Sequence, residues 1–159
     1  MKITLLAVGR LKDGPERALV SRYLERARDT GRTIGITGFD SVELAESRAT
    51  RSSDRKIEES RDILSRVNGQ IFIALDEKGL SPSSSDFSKM LSNFRDGGQR
   101  TLTFVIGGAD GLDQSILDAS KSILAFGAMT LPHQLVRIVL SEQLYRSMTL
   151  LTGHPYHRV

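Results

Sequence analysis

Three short segments of this sequence have continuously apolar centres, and they constrain the fold more than any other feature. They are KITLLAV at residues 2–8, QIFIALD at 70–76 and RTLTFVIGG at 100–108. A strand that is apolar on both faces must be covered on both, as in a parallel sheet with helices on each side. Helical patterns separate the three segments, so strands and helices alternate. We therefore predict an α/β fold, a mostly parallel sheet covered by helices on both faces.

The other elements follow from helical spacing and turn residues. Pro15 suits the first position of a helix, and Ser53 or Asp54 would cap the helix after the polar middle of the chain. Five helices are predicted, at residues 15–29, 53–67, 81–98, 112–123 and 132–151. A weak strand is predicted at residues 32–39, and a final strand at residues 124–131. Residues 40–56 are predicted to be a surface segment. No repeat or linker divides the chain, so residues 1–159 should form a single domain.

The composition limits the kinds of site that the chain can build. It has no cysteine, which excludes disulfides, thiolate catalysis and cysteine-bound metal centres. A net charge of +3 permits a nucleic-acid partner without requiring one. The apolar run at the start is too short for a signal peptide or a membrane span, so we expect no membrane contact and a cytoplasmic location.

Three loops at the carboxyl ends of predicted strands are chemically unusual. They are LDEKG at residues 75–79, IGGADG at 106–111 and FGAMTLP at 126–132. Ligands of open α/β sheets bind at this edge, and glycines let backbone approach a ligand closely. The second loop matches neither the dinucleotide fingerprint nor the P-loop. Taken alone, these loops are explained as ordinary turns.

The C-terminal region concentrates rare side chains. Two of the three histidines lie in the final HPYHRV, and residues 133–159 carry three arginines against the single carboxylate Glu142. A cationic patch with Tyr156 beside it would suit RNA phosphates and an unstacked base. A solvated tail is the plain alternative, and an ordinary i,i+4 pair explains Glu142 and Arg146.

The last predicted helix has a broad apolar surface. Val136, Leu140, Leu144 and Met148 repeat every fourth residue, and neighbouring apolar residues widen the stripe. A core helix explains the stripe, but the width exceeds what one sheet face needs. We therefore expect a twofold homodimer through this helix.

Two segments carry a resemblance to a known family. FVIGGADGL at residues 104–112 and MTLPHQLVRIVLSEQLYRSMTLLTGHPYHR at 129–158 strongly resemble the SPOUT-class methyltransferases that methylate N3 of a pseudouridine in bacterial large-subunit ribosomal RNA. The opening MKITLLAVGRLK fits as well, so the resemblance spans the chain. It implies a C-terminal trefoil knot, S-adenosylmethionine as methyl donor, and a homodimer whose neighbouring subunit helps to form each active site. The implied partner is ribosomal RNA within the ribosome or large subunit, and no metal is implied.

The resemblance also assigns roles to residues. The donor site would be formed by Leu75, Gly107, Gly108, Gly127, Ala128, Met129, Thr130, Leu131 and Pro132. Substrate engagement and catalysis would fall to Arg146, Tyr156, His157 and Arg158. Pseudouridine N3 is a weakly acidic imide nitrogen, so a histidine suits removal of its proton and an arginine suits the developing negative charge. Asp110 would either favour the positively charged donor or cap the following helix.

Three other functions compete with this one. The first is another SPOUT methyltransferase, acting on transfer RNA or on a ribose hydroxyl. The second is a ribosome-associated RNA-binding module without catalysis, in which the three loops would be ordinary turns. The third is a flavodoxin-like nucleotide protein, which the missing phosphate-binding motif disfavours. Binding of the methyl donor distinguishes an enzyme from a non-catalytic module.

Overall fold

The computed structural model describes residues 1–156 and contains one five-stranded sheet. The strands are β1 Lys2–Val8, β2 Gly38–Leu44, β3 Phe72–Leu80, β4 Thr101–Ile106 and β5 Ser122–Leu124. Their order across the sheet is β2-β1-β4-β3-β5, and every pair is parallel. The parallel sheet predicted from the apolar segments is therefore confirmed.

The described residues contain five α-helices, of which the first four connect successive strands and the fifth follows β5. They are α1 Pro15–Gly31, α2 Ser52–Val67, α3 Ser84–Asp96, α4 Gln114–Ala119 and α5 His133–Thr152. Pro15 occupies the first turn of α1 as predicted, where its missing N–H costs nothing. The side chain of Ser83 caps α3 by accepting from the backbone N–H of Asp86 at 3.1 Å. Between residues 1 and 156, none of the helices combines the length and apolar content needed to cross a bilayer.

Alternate residues of the strands build two separate cores. On β4, Phe104 and Ile106 face the layer of α1, α3 and α5, while Val105 faces α2 and α4. Both faces of the sheet are covered, which explains why the central strands are apolar without alternation. Each fully buried side chain of this kind stabilises the fold by about 1.5–3 kcal/mol relative to an exposed one.

Two predicted strands were wrongly placed. Residues 32–34 form a short 3-10 helix, and β2 begins only at Gly38. The strand therefore runs through residues predicted to be a surface segment. β2 lies at the edge of the sheet and pairs with β1 alone, so its outer positions can be polar.

The strand predicted at residues 124–131 is also wrong. β5 begins at Ser122, within the helix predicted at residues 112–123, which in fact ends at Ala119. β5 ends at Leu124, and residues 125–132 leave the sheet as an irregular loop. Gly127 has a φ of +118°, which is incompatible with a strand. The apolar residues of this segment therefore do not indicate a strand of the sheet.

Candidate functional site

A cleft opens at the edge of the sheet where the parallel strands end. Its volume is about 560 Å³, which lies within the usual range for small-molecule sites. All three loops singled out in the sequence border it, because β3, β4 and β5 are neighbours. The proposed donor residues that line it are Leu75, Gly107, Gly108, Gly127, Met129, Thr130 and Leu131. Ala128 and Pro132 belong to the same loop but do not line the cleft.

The cleft combines an apolar floor with a polar rim. The floor is formed by buried apolar side chains of the strands β3, β4 and β5, of the loop after β4 and of α4, namely Leu75, Ile106, Leu124, Leu112 and Leu117. The rim carries charges of both signs, including Lys56, Asp76, Glu77, Lys78 and Asp113. Such a site can hold a flat apolar group on its floor while polar groups orient the rest of the ligand.

The glycine loop, residues 107–111, folds tightly on itself. The N–H of Gly111 donates to the carbonyl of Gly108 at 3.1 Å, and Gly111 has a φ of +79°. A Cβ on Gly107 would lie 2.8 Å from the carbonyl carbon of Gly111. A Cβ on Gly108 would meet Val8 Cγ1 at 3.1 Å, on the protein side of the loop. Glycine is therefore required at position 107, where the backbone approaches itself, whereas a side chain at position 108 would need Val8 to shift by a few tenths of an ångström.

Asp110 forms a bidentate ion pair with Arg55, which was not predicted from the sequence. Arg55 on α2 donates from Nε and Nη2 to the two carboxylate oxygens of Asp110, at 2.7 and 2.9 Å. The hydrogen bond from Arg55 lowers the pKa of Asp110. Asp113, and not Asp110, caps α4 by accepting from the N–H of Ser115 at 3.0 Å. The prediction that Asp110 caps this helix is wrong.

Arg55 also explains how α2 begins. Its Nη1 donates to the carbonyl oxygens of Ala49 and Thr50, both at 3.0 Å. The N-cap position is Arg51, and no side chain caps the helix. The cap predicted at Ser53 or Asp54 is therefore wrong, because Arg55 ties the preceding loop to the helix instead.

In the described part of the chain, one side-chain hydrogen bond anchors the loop of residues 125–132. The hydroxyl of Thr130 donates to Glu77 Oε2 at 2.6 Å, which joins this loop to the end of β3. Among residues 1–156, nothing beyond its immediate chain neighbours lies within 4 Å of a Cβ built on Gly127. Met129 is 80% exposed, so this large apolar side chain has no cover within the described chain.

Arg146 and Tyr156 lie together near the far end of α5. Arg146 Nη2 donates to Glu142 Oε1 at 2.6 Å, which confirms the i,i+4 pair, and the guanidinium lies 5.2 Å from the centre of the Tyr156 ring. The Tyr156 hydroxyl donates to the same carboxylate oxygen at 3.2 Å. Burial, together with the Glu142 charge, raises the pKa of Tyr156 to about 12. Near neutral pH, Tyr156 can therefore donate a hydrogen bond but cannot act as a base.

Neither residue of this C-terminal cluster lines the cleft of its own chain. Arg146 follows His133, at the mouth of the cleft, by 13 positions of α5, a distance of about 20 Å along the helix. One chain thus keeps the proposed donor residues apart from Arg146 and Tyr156. His157 and Arg158 lie outside the described residues.

Arg137 contradicts the predicted cationic patch. Its side chain is 1% exposed and donates to the carbonyls of Val8 at 2.7 Å and Gly9 at 2.8 Å, and to Glu43 Oε1 at 3.0 Å. Burial lowers the pKa of Arg137. Since Arg146 is paired as well, neither arginine is an unpaired surface cation. Arg137 lies one turn before Ser141 on the buried side of α5, a position that the apolar pattern alone did not reveal.

Two further residues of the cleft were missed in the sequence. His133 lines it at the start of α5, and burial together with the nearby Arg137 lowers its pKa. Lys56 lines it from the first turns of α2. His133 could have been found in the sequence, because it directly follows Pro132 of the proposed donor site. Nothing in the sequence around Lys56 marked that lysine as a site residue.

Comparison with known proteins agrees with this geometry. A family model described as a SPOUT methyltransferase matches residues 1–157. Proteins named Ribosomal RNA large subunit methyltransferase H are similar along the whole chain. Those of Rhizobium etli and Methylocella silvestris are each 51% identical, over 100% and 99% of both chains respectively, and that of Xanthobacter autotrophicus is 48% identical over 99% of both.

Two solved structures share the fold at low identity. A probable methyltransferase from Bordetella pertussis has a TM-score of 0.52 at 10% identity, covering 92% of this chain and 96% of its own. A probable methylase family protein from Haemophilus influenzae has a TM-score of 0.53 at 13% identity, covering 99% of this chain and 70% of its own. These likenesses support the architecture, and the family match covers nearly every residue. The chain therefore belongs to the SPOUT methyltransferase family.

Proposed function

We propose that this protein uses S-adenosylmethionine to methylate N3 of a pseudouridine in large-subunit ribosomal RNA, within the assembled ribosome or large subunit. The observation that carries the proposal is the identity of about half of all residues, along both whole chains, with proteins named for methylation of this RNA. The proposed substrate would place the protein in the cytoplasm, where ribosomes are assembled. The trefoil knot implied by the family resemblance remains a prediction.

The cleft has the features that the methyl donor requires. Its apolar floor can accept the adenine ring, and the exposed backbone of the glycine loop can approach the donor closely. When bound, the donor supplies a methyl group that its sulfonium already activates. This chain would bind and orient it through Leu75, Gly107, Gly108, Gly127, Ala128, Met129, Thr130, Leu131 and Pro132.

Donor binding can be tested at Gly127, where a side chain would enter open space. We expect the wild-type protein to bind S-adenosylmethionine with roughly micromolar affinity, about −8 kcal/mol. Gly127→Val should weaken binding by about tenfold or more, because it strains the loop and adds bulk beside the cleft. Isothermal titration calorimetry measures both values.

Gly98→Val is the matched control for this test. Gly98 also has a positive φ, +78°, and open space around it, but it precedes β4 at the opposite edge of the sheet. The control should keep wild-type affinity. Equal affinity in the Gly127 and Gly98 variants would contradict the assignment of the cleft to the donor.

A second subunit would bring the separated residues together. The C-terminal cluster lies about 20 Å along α5 from the cleft of its own chain. Three large apolar side chains near the cleft are uncovered within the described chain, Leu80 at 78%, Met129 at 80% and Leu135 at 46% exposure. A groove of about 350 Å³ between α3 and α5, bordered by Phe126 and Val139, continues this surface. We infer that a second copy packs here and places its C-terminal segment over the cleft.

The dimer can be tested at Leu135, on the exposed side of α5. Leu135→Arg should convert a dimer into a monomer at micromolar concentration, because it buries an unpaired charge in an apolar interface. Analytical ultracentrifugation measures the change. Leu64→Arg is the control, since Leu64 is an exposed leucine on α2 at 40%. A wild-type monomer, or dissociation by both variants, would contradict this interface.

A further inference from the structure

We propose that the loop joining β2 to α2, residues 45–51, holds the RNA backbone beside the cleft, with Arg48 and Arg51 as its phosphate contacts. The inference rests on the proposed function, because it names where the RNA substrate of that function is held. We call these seven residues the basic loop. Neither arginine was among the site residues expected from the sequence.

The fold places the basic loop next to the cleft. The loop leaves the same edge of the sheet as the other site loops, since β2 is parallel to β1. Arg55 then ties it to the glycine loop. Its guanidinium donates two hydrogen bonds to Ala49 and Thr50 at 3.0 Å and two to Asp110 at 2.7 and 2.9 Å. Four of the five N–H groups of the Arg55 guanidinium thus form hydrogen bonds that connect the two loops.

Two carboxylates of α2 hold the start of the basic loop. The buried carboxylate of Glu59 accepts from the N–H of Ser47 at 3.0 Å, and Glu58 accepts from the Ser47 hydroxyl at 2.5 Å. Burial raises the pKa of Glu59. Glu58 and Glu59 thus fix the loop in place through Ser47.

The two arginines of the loop remain exposed and without partners. Within residues 1–156, neither the Arg48 nor the Arg51 side chain forms an ion pair or a hydrogen bond, whereas Arg55 and Arg137 do. Arg55 is paired with Asp110, and the carboxylates Glu46, Asp54 and Glu58 offset the other cations of this segment. The feature that suits an anion here is therefore a pair of exposed guanidinium groups without partners, and not a net local charge.

An anchored loop with unpaired guanidinium groups fits an RNA backbone. Arginine binds phosphate with two directed donors, and contacts to phosphate set register and orientation without reading sequence. Because the basic loop is tied to the glycine loop, phosphates held there would flank a nucleotide entering the cleft. A chain with a net charge of only +3 can make few such contacts, so each should count measurably.

The test compares two double variants with the same change of charge. Arg48→Gln with Arg51→Gln removes the proposed contacts. Arg66→Gln with Arg100→Gln removes two exposed arginines at the opposite edge of the sheet. Binding to large ribosomal subunits from cells lacking the protein is measured over a range of salt concentrations. Donor affinity and melting temperature are measured on the same samples.

We expect the logarithmic salt slope of the loop variant to fall by about 1.4–1.8, since each phosphate contact contributes about 0.7–0.9. Its affinity near 0.1 M salt should fall by about tenfold, with donor affinity and melting temperature unchanged. The control should match the wild type in every measurement. Arg48→Lys with Arg51→Lys should keep most of the slope, because charge is retained.

The outcomes separate this inference from the proposed function. If the wild type methylates the subunits and the loop variant matches the control, the inference is overturned and the proposed function stands. If the wild type transfers no methyl group to the subunits, the proposed function fails and takes the inference with it. An equal loss of affinity in both double variants would show a general effect of charge, and would also overturn the inference.

Discussion

Deletion of residues 155–159 should lower single-turnover methyl transfer to large ribosomal subunits by about a hundredfold or more. The deletion removes Tyr156, His157 and Arg158, which we propose act on the substrate nucleotide. Donor affinity should fall only modestly, because none of these residues belongs to the proposed donor site. The rate is measured by rapid quench with excess enzyme, and donor affinity by calorimetry.

Stability needs a separate measurement in this variant. The Tyr156 ring lies 4.6 Å from that of Tyr145, so its loss should lower the melting temperature slightly. Arg158→Lys avoids this packing effect and keeps the charge while removing the planar fork. A large loss of rate in Arg158→Lys would indicate directed hydrogen bonding. Wild-type rates in both variants would contradict a catalytic role for the tail.

Mixed dimers test whether the tail acts across the interface. A subunit without residues 155–159 keeps its donor cleft, and a Gly127→Val subunit keeps its tail. The test is run at a donor concentration that fills the wild-type cleft but not the Gly127→Val cleft. If the tail reaches the partner's cleft, mixing the two impaired proteins should restore a part of the activity, because one intact site forms in each heterodimer. No recovery in the mixture, with heterodimers present, would place the tail and the cleft of one chain in the same site.

Replacing Arg137 with methionine should lower the free energy of unfolding by about 3–5 kcal/mol, as expected when one partner of a buried ion pair is removed. The change leaves the carbonyls of Val8 and Gly9 without their donor and removes one of the cations beside Glu43. Urea denaturation at a fixed protein concentration measures the loss, since dimer stability depends on concentration.

Arg95→Met is the matched control for Arg137. Arg95 pairs with Asp96, a largely exposed carboxylate, and such pairs contribute at most about 1 kcal/mol. The control should therefore remain within about 1 kcal/mol of the wild type. A loss of less than 1 kcal/mol in Arg137→Met would show that the surrounding residues relax around the missing charge. It would contradict a major contribution of Arg137 to the stability of the fold.

The central strands and the helices were predictable because their patterns are local. Strands such as β4 are buried on both faces, which makes them continuously apolar, and helices such as α1 carry their start signal at Pro15. The site loops followed from this, since parallel strands end at one edge. β2 was misplaced because an edge strand pairs on one side only and needs no continuous apolar run.

The side-chain pairs at the site could not be predicted in the same way. Arg55 and Asp110 are 55 positions apart, and Arg137 and Glu43 are 94 apart. No periodicity links residues at such separations, and only the crossing of α2 and α5 over the strand ends brings them together. The buried Arg137 was therefore taken for a surface cation, and the ion pair between Arg55 and Asp110 was not predicted.

The position of the transferred methyl group tests the central claim most directly. Large ribosomal subunits from cells lacking the protein are incubated with the pure enzyme and a donor that carries an isotope-labelled methyl group. The ribosomal RNA is then digested and mapped by mass spectrometry. We expect one labelled site for each subunit, on N3 of a pseudouridine. Label on a ribose or on another base, or label only on added transfer RNA, would contradict it.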